Sequence, residues 1–124
     1  MSRRILVADD EPIVHSVLDR YLGRYGYIVE RAEDGHQALA AVETSVPDAV
    51  IADVRMPGLD GLQLLARIRE RWPELPVLII SGHGDKVMEE QAFALGAVGF
   101  ETKPLQLGDL VERLRRLFEA DTQG

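Results

Sequence analysis

Side chains that can bind a cation or a phosphoryl group follow four short apolar stretches of this chain. They are Asp9 and Asp10, Asp53, Ser81 and Lys103. Carboxylates that converge in one crevice raise the pKa of at least one of them unless a cation compensates their charge. A hard divalent cation with oxygen ligands, in the style of Mg²⁺, is the economical compensation. A lysine ammonium and a serine hydroxyl suit phosphoryl oxygens, and the bare backbone at Gly82 can approach the same oxygens.

These groups can meet only if the apolar stretches lie side by side in one sheet. Five stretches span residues 5–8, 27–29, 49–52, 77–80 and 97–100. Each is too short for an ordinary helix and is typical of a strand buried on both faces. The second stretch becomes polar soon after Val29, which places it at an edge.

Amphipathic helical segments alternate with the strands. The first follows Pro12, and the others begin after Asp34, Asp60, Asp85 and Gln106. The alternation predicts an α/β protein with a doubly wound, five-stranded parallel sheet and five helices on its two faces. In such sheets ligands bind beyond the carboxyl ends of the strands, which is where the reactive groups would meet. The first helix is predicted to pack through one apolar stripe, formed by Val14, Val17, Leu18, Tyr21, Leu22 and Tyr25.

Composition narrows the class of protein. The 124 residues suit one domain with one sizeable core, and 46% of them are hydrophobic. A net charge of −7 argues against a broad nucleic-acid surface. The absence of cysteine excludes disulfides and thiolate zinc sites. No apolar run near the start is long enough for a signal peptide or a membrane span, so we expect a cytoplasmic domain without membrane contacts.

The chain resembles the receiver domains of two-component response regulators from Arg4 to about Phe118. Four motifs carry the resemblance, each at the end of a predicted strand: Asp9-Asp10, Asp53 with Met56-Pro57 and Asp60-Gly61, Ser81, and Lys103-Pro104. Each motif is weak alone, and their joint occurrence in this order is a strong signal. The resemblance implies a flavodoxin-like sheet of strand order 2-1-3-4-5. It also implies a single receiver domain over residues 1–124, with an ordered core at about 4–119.

The function that the resemblance implies is a phosphorylation-activated signalling switch. Asp53 would accept a phosphoryl group from a phosphohistidine of a sensor histidine kinase or a histidine phosphotransfer protein. Asp9, Asp10, Asp53 and the backbone carbonyl of Arg55 would bind Mg²⁺, which offsets negative charge during the transfer. Lys103 would pair with the phosphoryl group, and its peptide bond to Pro104 would be cis.

The same resemblance implies how phosphorylation is read out. Ser81 would bond the phosphoryl group after transfer, and Phe100 would turn inward. The face formed by helix four, strand five and helix five would then change and meet a partner, or a second copy of the chain. Arg55 and His83, each two residues past a reactive group, would alter the access of hydrolytic water and so tune dephosphorylation.

Two other classes of function stay open from the sequence. One is a pseudo-receiver that binds partners without phosphorylation, and the intact set of acidic, serine and lysine residues argues against it. The other is an aspartyl-phosphate phosphatase of the haloacid-dehalogenase type, which needs a second Asp where Arg55 stands. The leading interpretation is therefore not an enzyme, beyond catalysing its own phosphorylation and dephosphorylation.

Several residues near the motifs have ordinary structural interpretations. Asp10 could cap the first helix instead of binding a metal, and Asp60 is predicted to cap the third. Glu11 is expected to be exposed. His15 and His36 are expected on the outer faces of helices, in solvent.

Overall fold

A computed structural model describes the backbone of residues 2–123 and the side chains of residues 2–120. Strands and helices alternate within this range. They are β1 (Arg4–Ala8), α1 (Pro12–Gly23), β2 (Ile28–Ala32), α2 (Gly35–Thr44), β3 (Ala49–Asp53), α3 (Gly61–Arg71), β4 (Val77–Ser81), α4 (Lys86–Ala94), β5 (Gly99–Thr102) and α5 (Leu107–Gln123). The strands form one parallel sheet in the order β2-β1-β3-β4-β5, which confirms the predicted topology.

The sheet is buried on both faces because neighbouring residues of each strand point to opposite sides. On one side Leu6, Val50 and Ile79 pack beneath α2, α3 and α4. On the other side Ile5 and Ile51 pack beneath α1 and α5. This double burial explains why the central strands contain little but apolar residues until each reaches its carboxyl end. Across residues 2–123, no helix has the combined length and apolar character needed to cross a membrane.

Two strands differ from the predicted positions. β2 runs on to Ala32 through polar residues, because Glu30 pairs with Arg4 of β1 at 2.9 Å and the ladder with β1 continues. As predicted, β2 lies at an edge of the sheet. β5 begins at Gly99, since the Ala97 amide still donates to the Ala92 carbonyl and closes the end of α4.

Short polar side chains begin three of the helices. Asp60 caps α3 as predicted, and it forms a capping box with Gln63. Asp34 and Asp85 cap α2 and α4 through their side chains. The position before α1 is Glu11, which makes no side-chain cap, so the alternative role of Asp10 as a helix cap is not observed.

The buried face of α1 differs from the predicted stripe. Val17 and Tyr25 are exposed, whereas His15 is buried with Leu18 and Leu22. The prediction that His15 lies in solvent was therefore wrong, while His36 is exposed as expected. Tyr25 lies beyond the end of α1 at Gly23, and Val17 lies at one edge of the stripe, whereas His15 adjoins the opposite edge beside Leu22.

Candidate functional site

The side chain of Lys103 lies at the centre of the predicted site. Its Nζ is 2.9 Å from Asp53 Oδ2, 3.2 Å from Asp9 Oδ2 and 2.5 Å from Glu11 Oε1. These partners follow β1 or end β3, while Lys103 follows β5, so the fold brings together groups that are up to 94 residues apart in the chain. The predicted convergence at the carboxyl ends of the strands is therefore observed.

Backbone hydrogen bonds fix the loops that carry these groups. The Asp9 amide donates to the Ala32 carbonyl at 3.1 Å, and the Lys103 amide donates to the Ser81 carbonyl at 2.8 Å. The peptide bond between Lys103 and Pro104 is cis, as the resemblance implied. Both reactive side chains therefore leave the sheet from anchored backbone.

Asp53 is the last residue of β3 and is 4% exposed. Besides the ammonium at Oδ2, its Oδ1 accepts a hydrogen bond from the Arg55 amide at 3.3 Å. Gly61, the first residue of α3, packs against the Asp53 backbone so closely that a Cβ there would overlap the carbonyl oxygen. This close contact with the first residue of α3 restrains the backbone of Asp53.

Asp9 is fully buried, and this burial raises the pKa of its carboxyl group. The nearby charge of Asp53 raises the pKa further, while the hydrogen bond from the Glu11 amide to Oδ1 and the charge of Lys103 lower it. Its Oδ2 is buried without a hydrogen-bond partner in the described part of the chain, and it forms an ion pair with the Lys103 ammonium at 3.2 Å. Asp9 therefore ionises at a cost that a cation would relieve.

The ammonium of Lys103 is held in its charged form. Burial lowers its pKa, but hydrogen bonds to Glu11 and Asp53 and the charges of Asp53 and Asp9 outweigh burial, so the pKa is raised well above its ordinary value. A lysine that stays protonated at neutral pH supplies a permanent positive charge here.

Four acidic residues form a cluster, and three of them, Asp9, Glu11 and Asp53, pair with the Lys103 ammonium. Oxygen atoms of Asp9, Asp10, Glu11 and Asp53 lie within 4.8 Å of one another. This set of hard oxygen donors fits a divalent cation such as Mg²⁺, and the orphaned, buried Oδ2 of Asp9 is the specific atom that a cation would satisfy. Asp10 is exposed and lies at the rim of this cluster.

Ser81 ends β4 beside this cluster and is 1% exposed. Its hydroxyl donates to the sulfur of Met88 at 3.5 Å and accepts from the His83 amide at 3.2 Å. Thioether sulfur is a weak acceptor, so the hydroxyl hydrogen of Ser81 can be drawn to a stronger acceptor at little cost.

Phe100 lies half-buried on β5 and packs against the core beneath α2, α3 and α4. The loop after Ser81 rests on its ring: a Cβ at Gly84 would lie 2.8 Å from Phe100 Cε1 and would overlap the Thr102 methyl group. Around Gly82 there is open space within 4 Å. The loop therefore contacts β5 through Gly84, and a movement of one must be accommodated by the other.

The remaining predicted residues lie at the rim. The side chains of Arg55 and His83 are exposed, while their amides bond Asp53 and Ser81. Glu11 is exposed, as expected, but its carboxylate also pairs with Lys103, and the sequence did not predict this contact. The hydrogen bond from Ser81 to Met88 was also not predicted. Glu11 directly follows two acids and precedes Pro12, and that position beside the motif was the available signal.

Comparison with known proteins identifies the class of protein that this fold and site define. The family described as "Response regulator receiver domain" matches residues 5–115, so the chain belongs to the response-regulator receiver family.

Two curated relatives illustrate the range of similarity. The chain is 41% identical over 123 residues to response regulator MprA of Mycolicibacterium vanbaalenii, covering 98% of this chain and 53% of that protein. It is 38% identical over 117 residues to the DNA-binding transcriptional regulator NtrC of Salmonella typhimurium, covering 94% of this chain and 25% of that protein. The chain thus spans about half or a quarter of the length of these relatives.

Solved structures agree with this assignment. A CheY-like receiver domain protein from Methanospirillum hungatei superposes with a TM-score of 0.92 at 25% identity, and both chains are covered completely. NtrX from Brucella abortus, solved with ADP, has a TM-score of 0.90 at 36% identity, covering 99% of this chain and 28% of that one.

Proposed function

We propose that the chain is a phosphorylation-operated switch in which Asp53 accepts the phosphoryl group. The observation that carries the proposal is the contact of Lys103 Nζ with Asp53 Oδ2 at 2.9 Å, inside a cluster of acids that fits a divalent cation. The donor is a phosphohistidine on a sensor histidine kinase or a histidine phosphotransfer protein. Beyond this self-phosphorylation and its reversal by water, the chain is not an enzyme.

Asp53 acts as the nucleophile. A carboxylate oxygen forms a bond to phosphorus while the bond from phosphorus to the donor nitrogen breaks, and the imidazole leaves with the electron pair. Lys103 remains protonated and shifts its contact from the carboxylate to the phosphoryl oxygens, which stabilises their charge. The Arg55 amide at Oδ1 keeps the carboxylate oriented during the attack.

Asp9, Asp10, Asp53 and the carbonyl of Arg55 hold Mg²⁺ in this proposal. The bound ion supplies positive charge that lets an anionic carboxylate approach an anionic phosphoryl group. The buried Oδ2 of Asp9 and the cluster of four acids support this assignment.

The Ser81 hydroxyl forms a hydrogen bond to the new phosphoryl group. It exchanges the sulfur of Met88 for a phosphoryl oxygen, a far stronger acceptor because it is charged, and it draws residues 82–84 inward. The amide at Gly82 approaches the same oxygens. Since Gly84 rests on the ring of Phe100, this movement changes the packing of β5 and turns Phe100 inward.

The changed surface is formed by α4, β5 and α5. We propose that this face meets the downstream partner or a second copy of the chain, and that the domain itself contacts neither nucleic acid nor membrane. At the rim, the exposed side chains of Arg55 and His83 alter the access of hydrolytic water. The lifetime of the acyl phosphate in the Arg55→Ala, His83→Ala double variant tests this role, and an unchanged lifetime would contradict it.

The central experiment exposes the purified chain to Mg²⁺ and acetyl phosphate and measures its intact mass. We expect the mass of the wild type to increase by one phosphoryl group. The Asp53→Asn variant should show no increase, because an amide is not a nucleophile toward phosphorus. Asp60→Asn is the matched control, since Asp60 lies in the loop after β3 but only caps α3. It should gain the phosphoryl group as the wild type does.

Two results would contradict the assignment. One is an acyl phosphate on Asp53→Asn, and the other is a wild-type chain that gains no mass and shows no spectral response to beryllium fluoride with Mg²⁺. Steady hydrolysis of an external phosphate ester would favour a phosphatase instead.

A further inference from the structure

His15 is a polar residue in an otherwise apolar interface. It is 2% exposed and lies on the inner face of α1 with Leu18 and Leu22, which are fully buried. The other two histidines of the chain, His36 and His83, are exposed. A leucine at this position would pack against the sheet without burying polar atoms, so the imidazole calls for an explanation.

The ring of His15 makes one hydrogen bond. Its Nε2 lies 2.6 Å from the backbone carbonyl oxygen of Asp9. A carbonyl can only accept, so the hydrogen is on Nε2. The other ring nitrogen, Nδ1, is buried and has no hydrogen-bond partner among residues 2–120. The side chain therefore leaves one polar atom unpaired in order to donate to Asp9.

The carbonyl that accepts this bond lies where β1 has ended. The amide of Asp9 still bonds the Ala32 carbonyl, and Oδ1 of Asp9 accepts from the Glu11 amide. The bond from His15 restrains the third polar group of Asp9. Because the peptide unit is planar, holding this carbonyl also holds the amide and Cα of Asp10.

Asp10 depends on this restraint more than Asp9 does. Asp9 is fully buried between its neighbours, whereas Asp10 is exposed and does not cap α1. Its carboxylate nevertheless lies within the 4.8 Å cluster of acids.

We propose that His15 is a positioning residue, which holds the peptide between Asp9 and Asp10 so that the Asp10 carboxylate faces the cation site. This inference rests on the proposed function, because it assigns Asp10 to the metal.

The experiment compares replacements of His15 that keep or remove the donor. Gln places an amide N–H at about the reach of Nε2, while Leu and Met fill the space without a donor. Mg²⁺ affinity is measured by calorimetric titration. We expect His15→Leu and His15→Met to weaken it about tenfold, the lower range for residues that support metal ligands, and His15→Gln to recover most of the loss. His36→Leu, an exposed histidine, is the matched control and should bind Mg²⁺ as the wild type does.

The amide resonance of Asp10 gives a second measurement that needs no metal. It should shift in His15→Leu and return toward the wild-type position in His15→Gln, whereas a mere packing role would make Gln the worse replacement. Wild-type Mg²⁺ affinity in both apolar variants, or equal losses in Leu, Met and Gln, would overturn the proposal. If one apolar variant fails to fold, the other decides. A wild-type chain that does not bind Mg²⁺ would contradict the proposed function, while the Asp10 resonance would still test His15.

Discussion

Two long cationic side chains at opposite ends of the sheet, Arg69 at the amino end and Lys103 at the carboxyl end, have opposite surroundings. At the amino end, Arg69 of α3 donates through its two terminal nitrogens to backbone carbonyls of the segments that lead into β4 and β5. These carbonyls belong to Trp72, Pro73, Leu75 and Gly96, at 2.9–3.2 Å. At the carboxyl end, Lys103 meets three carboxylates.

The difference between these partners separates a structural contact from a site. The carbonyls around Arg69 are neutral, and the guanidinium donates charge-assisted hydrogen bonds to them. The carboxylates around Lys103 outnumber it, and Asp9 Oδ2 accepts no hydrogen bond from the described part of the chain. Each end has a buried polar atom without a hydrogen-bond partner among residues 2–120, Arg69 Nε at the amino end and Asp9 Oδ2 at the carboxyl end. Only the carboxyl-end cluster combines this with an excess of carboxylates over its ammonium, and a cation or a protonated partner must offset that negative charge.

The largest expected effect comes from exchanging each cation for methionine. In Lys103→Met we expect the rate of phosphorylation by acetyl phosphate to fall on the order of a hundredfold, since removing one donor to a developing charge has effects of this size. Arg69→Met should react at nearly the wild-type rate, because Arg69 contacts only the opposite end of the sheet. Quenched samples analysed by intact mass give both rates.

The stability of the same two variants completes the test. Arg69→Met should lose about 2–3 kcal/mol of unfolding free energy, the cost of charged hydrogen bonds removed from partly buried acceptors, and Mg²⁺ should not restore it. Lys103→Met should also be destabilised, because Asp9 and Asp53 then lack their counter-charge, but Mg²⁺ should recover much of that loss. If Mg²⁺ stabilised both variants equally, the contrast between the two ends would be wrong.

The excess of negative charge around Lys103 can also be reduced by replacing one of the carboxylates. Asp9→Asn keeps an oxygen to accept from the Glu11 amide but removes one buried negative charge. We expect it to raise the unfolding free energy without metal by about 1 kcal/mol at neutral pH and to weaken Mg²⁺ binding. Chemical denaturation with and without Mg²⁺ gives both values.

The pH dependence of this effect has a definite sign. Burial raises the pKa of Asp9 in the folded chain above its ordinary value of 3.8. The folded state therefore holds the proton more tightly, so this group lowers stability as pH rises through the range above 3.8. Lys103, whose pKa is raised, contributes stability that is fully present throughout this range and is lost only in strong alkali. The advantage of Asp9→Asn should thus grow from acid to neutral pH. An advantage that shrank over this range would exclude Asp9 as its source.

The contrast between the two ends also explains what could be predicted from sequence. Runs of apolar residues that end in acids or serine define buried strands and their carboxyl ends without knowledge of tertiary contacts. The strand order came from the family resemblance, and the structure confirms it. Convergence of Asp9, Asp53 and Lys103 followed from the topology, because all carboxyl ends of a parallel sheet share one edge.

Individual contacts between elements could not be read in this way. Helical periodicity assigns polar residues to the solvent side, so it misplaced His15, whose polarity serves a backbone carbonyl inside the protein. The pairing of Glu11 with Lys103 joins residues 92 positions apart, and no local pattern encodes it. The hydrogen bonds from Arg69 to four backbone carbonyls could not be predicted either, because every residue has a carbonyl and its residue type does not identify it as an acceptor.

The smallest expected effect concerns the loop that joins the site to β5. Gly84→Ala would place a methyl group against Phe100 and Thr102, while Gly82→Ala would place one in open space. Gly82→Ala is therefore the matched control. Overpacking of a contact that can partly yield costs about 1 kcal/mol, so Gly84→Ala should be only modestly less stable than Gly82→Ala.

The informative measurement is the resonance of the Phe100 ring before and after addition of beryllium fluoride with Mg²⁺. Gly84→Ala should shift the unliganded ring resonance and reduce its response to the ligand, because the loop can no longer close onto β5 in the same way. Gly82→Ala should leave the unliganded ring resonance as it is in the wild type, because its methyl group meets open space. If both variants responded alike, Gly84 would not couple Ser81 to Phe100, and the acidic site would have to reach the surface of α4, β5 and α5 by another route.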